Sequence, residues 1–297
     1  MANRIFAPEE QRVDLHAHST ASDGTYTPTE LVQLAADLGL RAVAITDHDT
    51  VAGVPEALEA GRRLGIEVVP GIEISSDYLD TGAHILGYFV DPDSPALQEV
   101  IDWFIEERVT RNQAIVDKLA ADGYPISIPE LEEKFPNTML GRPHIGQLLM
   151  EKGYISSVSE AFDRWLDDGK PYFVERRHLP AEDSIRLINK SGGVAVIAHP
   201  LEYGYDRSGI EQLIRTGREL GAVGVECHYS GYTAEEETML EGFAKAHGMV
   251  ITGGSDFHGD RKKYQLGTGT GEMKVYYQSV VDLKRRCDEL HQSKIRP

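Results

Sequence analysis

The residues able to do chemistry are gathered at the ends of short apolar runs. Asp14-Leu15-His16-Ala17-His18 closes the first run, and Asp23 follows in Ser22-Asp23-Gly24-Thr25. Thr46-Asp47-His48-Asp49 closes the second, Gly71-Ile72-Glu73 the third, Ala198-His199-Pro200 the fifth, Glu226-Cys227-His228 the sixth and Gly254-Ser255-Asp256-Phe257-His258-Gly259 the last. A His-x-His pair on extended backbone presents both imidazoles on one face, because side chains repeat every two residues. Two nitrogens then reach one ion. A carboxylate such as Glu73 can bridge two cations, the usual device for holding metals about 3.5–4 Å apart. The 297 residues include 2 cysteines, Cys227 and Cys287, too few for a disulfide framework or a thiolate-rich zinc site. Any metal must therefore rest on imidazole and carboxylate, a shell that suits Mn²⁺, Fe²⁺ or Zn²⁺ without selecting sharply among them. His178, His247 and His291 lack a comparable setting and read as ordinary residues.

The elements that must position these groups follow from the pattern. Short β-branched runs at 12–15, 42–46, 67–71, 85–90, 194–198, 223–227 and 249–252 alternate with helix-period stretches at 28–38, 54–64, 181–189, 210–220 and 234–247. Strand followed by helix, repeated, implies an α/β fold with a largely parallel sheet or barrel. Catalytic groups of such barrels sit at the strand-end rim. His84 precedes its run. A hairpin turn through Asp80-Thr81-Gly82 would make the fourth strand antiparallel and bring His84 to the same rim as Glu73. The alternation breaks between residues 93 and 179, where segments at 95–121, 129–134, 142–152 and 158–166 are helical. The expected organisation is a catalytic domain from 1–92 and 180–297, with 93–179 an inserted helical cap.

A formal net charge of −18 excludes the broad basic groove that holds duplex DNA. A cation cluster would still make the site itself locally positive, so an anionic substrate fits. No apolar run is long enough to span a membrane and residues 1–10 lack a signal-peptide pattern, so a cytoplasmic protein without membrane partners is expected. In Gly141-Arg142-Pro143-His144, Arg142 offers a planar fork for phosphate oxygens and His144 a further donor. His228 is a candidate phosphate donor, proton donor to the leaving oxygen, or peripheral ligand. There is no Gly-x-Ser-x-Gly nucleophile motif, and Thr268-Gly269-Thr270-Gly271 reads as a loop. The chemistry these groups can support is metal-assisted attack of water on an anionic ester, with Arg142 and His228 as its catalytic side chains.

These motifs together resemble the PHP (polymerase and histidinol phosphatase) superfamily. The resemblance covers nearly the whole chain outside the insertion and implies a distorted seven-stranded (β/α) barrel with a trinuclear site. Carried over motif by motif, it implies His16, His18, Glu73 and Asp256 on one ion. Glu73, His84 and His199 would hold a second, and Asp23, His48 and His258 a third, with Mn²⁺ the first choice. Asp47 and Asp49 would then orient imidazoles. His84-Ile85-Leu86-Gly87-Tyr88, the insertion and Gly141-Arg142-Pro143-His144-Ile145 resemble the branch of 3′,5′-nucleoside bisphosphate phosphatases and 5′-to-3′ exonucleases. That implies pAp as substrate and AMP as product, with short single-stranded nucleic acid as a related substrate. A histidinol-phosphate phosphatase, an amidohydrolase and a metal-bound regulatory module are the rivals, and the filled ligand set speaks against the last.

Overall fold

The computed structural model describes residue 7 and residues 10–79 and 81–295. Asp80, in the expected hairpin turn, and most of the N-terminal segment read for a signal peptide lie outside the described residues. Strands β1 (Val13–Asp14), β2 (Ala42–Ile45), β3 (Glu67–Tyr78), β4 (Thr81–Tyr88), β6 (Val194–Ile197), β7 (Gly224–Tyr229) and β8 (Val250–Gly254) are hydrogen-bonded in that order, and β5 (Leu179–Pro180) pairs with the far end of β3. The β3–β4 and β4–β6 pairs are antiparallel and the others parallel. Leu15 N–H donates to the Gly253 carbonyl at 3.2 Å, and Ala17 bridges Phe257. The mixed seven-stranded sheet thus nearly closes into a barrel, with helices around it.

Alternation along each strand decides what fills the barrel. Ala42 and Ala44 of β2, Leu86 and Tyr88 of β4, and Val194 and Val196 of β6 point inward with Val13, Leu15 and Val69. Their neighbours point to the helical layer, Val43 and Ile45 in one cluster and Ile85 and Ile197 in another. That layer comprises α1 (Pro28–Asp37), α2 (Val54–Leu64), α7 (Ala181–Lys190), α8 (Arg207–Leu220) and α9 (Ala234–Ala246). Local signals set their limits. Thr27 and Glu30 form a capping box ahead of α1, and Gly65 ends α2 in the left-handed conformation at φ 72°. Helix α10 (Gln278–Ile295) adds Val280 and Leu283 to the inner cluster.

The helical segment begins with α3 (Pro95–Ala121), at 27 residues roughly 40 Å long. Its first half, through Leu97, Ile101 and Phe104, packs with the barrel's outer layer. Its second half, through Ile115 and Leu119, joins a separate core with α4 (Ile128–Lys134), α5 (Arg142–Glu151), α6 (Val158–Ala161) and the π-helical turn Phe162–Leu166. One continuous helix therefore carries the cap. Two backbone-directed bonds dock the cap on the loop after the His-x-His pair. Met139 N–H reaches the Ala21 carbonyl and Thr138 Oγ1 the Thr20 carbonyl, both at 2.8 Å.

A third tie between cap and barrel is ionic. Asp49, fully buried, accepts Arg108 Nη2 of α3 at 2.5 Å and Arg176 Nη2 at 2.8 Å, besides Ser75 N–H at 2.7 Å. Burial alone would raise its pKa, but the two guanidiniums reverse that and hold the carboxyl well below the usual range. Stability from Asp49 is thus present at neutral pH and is lost only as acid passes below the ordinary Asp range. Asp49→Ala strands two buried cations and should cost about 3–5 kcal/mol in urea unfolding. A loss near zero would mean that Arg108 and Arg176 find other partners.

Candidate metal centre

Glu73 occupies the middle of the site, and its position corrects one expectation. The third strand does not end there: β3 runs on to Tyr78, with Glu73 opposite Leu86 and Ser75 opposite His84. Glu73 shares the inward face of β3 with Val69, so its carboxylate lies inside the barrel mouth, 1 % exposed. Five imidazoles from four segments approach it. His16 Nε2 is 3.2 Å and His18 Nε2 3.3 Å from Oε2, with His48 Nδ1 at 3.0 Å. His84 Nδ1 and His199 Nε2 are each 2.9 Å from Oε1 and 3.3 Å from each other. Asp256 Oδ1 lies 3.1 Å from His18 and 3.5 Å from His16. Asp23 Oδ1 completes a third group, 3.2 Å from His258, 3.8 Å from His18 and 3.9 Å from His48. All nine candidate ligands named from sequence therefore meet at one mouth.

The donor and acceptor accounting shows what this cluster needs. His16 Nδ1 donates to Glu226 Oε1 at 3.0 Å, which leaves Nε2 directed at the carboxylates of Glu73 and Asp256. His258 Nδ1 donates to the Asp256 carbonyl at 2.8 Å, leaving Nε2 directed at Asp23. Lone pairs facing carboxylate oxygens repel unless a cation stands between them. His16 Nε2, both nitrogens of His18, His48 Nδ1 and Glu73 Oε2 are buried without a hydrogen-bond partner. Three sets of ligand atoms lie close enough to hold an ion: His16, His18, Glu73 and Asp256; His18, Asp23, His48 and His258; and His48, Glu73 and His84. The residues thus fit divalent metal.

The electrostatics agree. Burial penalises every charge here, yet His16, His48 and His84 hold the Glu73 carboxyl well below its usual range, and Lys262 and His258 do the same for Asp256. Burial pulls His16 down, but Glu226, Glu73 and Asp256 drive its pKa well above normal, and the adjacent Asp256 and Glu73 carboxylates take His18 to about 9 against the same penalty. Burial brings His84 and His258 to about 4, so those two rings offer free lone pairs at neutral pH. The carboxylates stay ionised and demand positive charge, from protons or from metal.

Several supporting groups differ from the sequence reading. Asp47 and Asp49 touch no imidazole. Asp47 accepts from Ser19 N–H and from the Ser19 and Ser22 hydroxyls, fixing the loop that carries Asp23. The orienting carboxylate is Glu226, which takes His16 Nδ1 and the His199 backbone N–H at 2.8 Å. The signal for it was a glutamate inside an otherwise apolar strand. His228 faces away: a bulge between Glu226 and His228 turns it onto α9, where its nitrogens lie 3.3 and 3.5 Å from Glu237 and Glu241. It cannot reach a substrate at the barrel mouth. His144 is buried at α5 and accepts Gly141 N–H at 2.9 Å, so it too stands off the catalytic cavity.

The cavity over the cluster measures about 810 Å³ and exposes His48, His84, His199, His258 and Asp23 at its floor. Arg108, Arg111, Arg142, Arg176 and Lys262 line it as well. Arg142 is anchored by donating to the Leu166 carbonyl at 2.9 Å and by the Phe162 and Phe173 rings. Arg176 Nη1 is buried without a partner. His178, read as ordinary, is on the wall with its Nδ1 2.9 Å from Asp77.

A family model for the PHP domain matches residues 14–192. The chain belongs to the PHP family. A 5′-3′ exoribonuclease of Haemophilus influenzae is 36% identical over 84% of this chain and 90% of its own. A 3′,5′-nucleoside bisphosphate phosphatase of Chromobacterium violaceum is 34% identical over 83% and 87%. A phosphoribosyl 1,2-cyclic phosphate 1,2-diphosphodiesterase of Eggerthella lenta is 34% identical over 83% and 94%. A solved Bifidobacterium adolescentis protein described as a metal-dependent phosphoesterase superposes with a TM-score of 0.84 at 30% identity, covering 94% and 98%. This PHP protein is accordingly a metal-dependent hydrolase of phosphate esters. Among the described residues no helix is long and apolar enough to cross a membrane.

Glu226→Gln turns an amide NH₂ toward either His16 Nδ1–H or the His199 N–H. It should lower metal affinity about 10–100-fold while the fold persists. Metal titration by calorimetry beside a circular-dichroism melt checks this, and unaltered affinity would remove Glu226 from the centre.

Proposed function

We propose that the chain hydrolyses the 3′-phosphate of nucleoside 3′,5′-bisphosphates, converting pAp to AMP and phosphate, with 5′-to-3′ trimming of short single-stranded RNA or DNA as a related activity. One observation carries the reading: the helical segment brings four of the cavity's five arginines, Arg108, Arg111, Arg142 and Arg176, over the imidazole and carboxylate cluster, where Asp49 and Asp167 neutralise only part of their charge. Burial first, then the neighbouring Arg108, Arg176 and Arg142 guanidiniums, push the pKa of Arg111 down. A substrate carrying a second phosphate beyond the one cleaved supplies the missing anion. Histidinol phosphate carries only one, and the arginine cavity is oversized for it. The exoribonuclease and bisphosphate phosphatase among the relatives act in the same direction of chemistry.

Three divalent cations, Mn²⁺ by preference, would be held by His16, His18, Glu73 and Asp256, by Glu73, His84 and His199, and by Asp23, His48 and His258. When bound they supply Lewis-acid polarisation of phosphoryl oxygen and acidification of water. The chain's own side chains do the rest. Arg142 and Arg176 hold the phosphate that stays, with Arg108 and Arg111 behind them, and so fix the scissile group over the floor. Lys262, its Nζ 2.5 Å from Asp256 Oδ2 and on the cavity wall, takes the part that His228 cannot play. It places positive charge and a proton beside the departing 3′ oxygen.

Phosphate release from pAp should exceed that from histidinol phosphate at least tenfold in Mn²⁺-loaded protein. His16→Ala and Asp256→Ala should abolish it and lower bound metal, whereas Arg142→Ala should mainly raise KM, by about tenfold for a lost charge-assisted contact. Full activity in the His16 and Asp256 variants would end the proposal.

A further inference from the structure

Arg261 stands between two cavities. On one side it lines the catalytic cavity, and on the other a second cavity of about 400 Å³ with Thr20, Thr25, Lys134, His144 and Gln147. In a chain of net charge −18, no Asp or Glu is among the described residues lining this second space. Two of its side chains, His144 and Arg261, each hold a donor without an acceptor. His144 is 1 % exposed, and because its Nδ1 accepts Gly141 N–H, the ring proton must sit on Nε2. That nitrogen lies 3.4 Å from Arg261 Nη1, a donor facing a donor. Burial and the charge of Arg261 bring the His144 pKa to about 3, so the ring is neutral and Nε2–H is its polar contribution. Arg261 Nη2 donates to Gln147 Oε1 at 2.8 Å, while its Nε is buried with no partner. Unmatched buried donors are costly, and an anionic oxygen beside them satisfies both.

We infer that this second cavity is an anion subsite that takes the next phosphodiester of a short single-stranded oligonucleotide whose terminal nucleotide occupies the catalytic cavity. The inference rests on the nucleotide reading of that cavity and adds the residues by which a chain, rather than a single nucleotide, is held. Phe135, within 5.8 Å of the Arg261 guanidinium and 4.7 Å of the His144 ring, gives the same cavity an aromatic wall suited to a base.

The test compares a 5′-phosphorylated, fluorescein-labelled tetraribonucleotide with pAp on Mn²⁺-loaded protein. The variants are Arg261→Met, which removes the fork, and the near-isosteric Gln147→Glu, which occupies it with a carboxylate. Both should raise KM for the tetranucleotide about tenfold, and Gln147→Glu, which lies outside the catalytic cavity, should leave KM for pAp within about twofold. Arg261→Met should also flatten the salt dependence of tetranucleotide binding, read by anisotropy, by about 0.7 in log–log slope, the share of one single-strand phosphate contact. Equal changes for both substrates would mark a structural role, and no change in either would remove the subsite. The inference is likewise overturned by wild-type protein that cleaves pAp but neither binds nor cleaves the tetranucleotide, or by inorganic phosphate competing as well as the chain. Arg261-dependent binding of the tetranucleotide without turnover of either substrate would instead keep the subsite and sink the catalytic reading.

Discussion

A buried carboxylate surrounded by imidazoles is the constraint on which the rest of the structure depends. Glu73 carries its charge inside the barrel, where an isolated carboxylate is untenable. It can stay ionised only if positive charge is brought to it from several directions. The topology does this. A purely parallel barrel would deliver ligands from strand ends alone; the long antiparallel β3–β4 hairpin also brings His84 back to the mouth, two residues along the ladder from Glu73. The close approach of β8 serves the same end. A Cβ on Gly254 would lie 2.3 Å from the backbone nitrogen of His16, so only glycine lets the last strand seat Asp256 and His258 against the His-x-His pair. Asp49 and Asp256 both sit at positive φ, 57° and 53°, conformations that short polar side chains tolerate and that persist because the surrounding bonds fix them.

The cap answers a different demand. An acidic chain must build a locally positive chamber, and it does so by placing cations where a helix would ordinarily carry apolar residues. The buried stripe of α3 reads Leu97, Ile101, Phe104, Arg108, Arg111, Ile115 and Leu119. Its spacing is that of a core face throughout, but two positions are arginine. Those two mark where the helix leaves the barrel's outer core, crosses the catalytic cavity and enters the cap's own core. Asp49 sets the limit on how much charge this chamber can hold empty. It pairs two of the guanidiniums and ties them to the strand-end loop beside His48, so ligand charge at the arginines and ligand geometry at the imidazoles are mechanically one unit.

Much of this was legible in the sequence because the ligands lie in regular settings. His16 and His18 alternate on extended backbone, and Asp23, His48, His199, Asp256 and His258 follow apolar runs whose period fixes their direction. The alternation of strands and helices likewise gave an α/β sheet or barrel, and the resemblance to the PHP superfamily its seven strands. What the pattern left hidden depended on contacts between distant segments. Glu226 is separated by 210 residues from the His16 ring it orients. The role of Asp49 exists only because Arg108 and Arg176 arrive from the insertion. The end of β3 was placed at Glu73, since a charged residue after an apolar run reads as a strand terminus. The ladder with β4 overrides that reading and carries the strand five residues further.

The reading of His228 failed for a reason that bears on catalysis. Strict alternation would put Glu226 and His228 on the same inward face. The bulge between them adds one residue, so Glu226 stays inward, Cys227 and His228 turn to the α9 layer, and Tyr229 takes the inward position. That exchange is not neutral for the site. Tyr229 O–H donates to Asp256 Oδ2 at 2.7 Å, and Lys262 holds the same oxygen, which leaves Oδ1 as the atom presented to His16 and His18. With histidine inward, Asp256 would lose a neutral donor and gain another titrating ring in a cluster already crowded with them. The bulge therefore selects a fixed carboxylate orientation over an additional acid. On the proposed reading, proton supply then falls to groups on the cavity wall, and Lys262, anchored on the oxygen that Tyr229 also holds, is the one the geometry keeps in place.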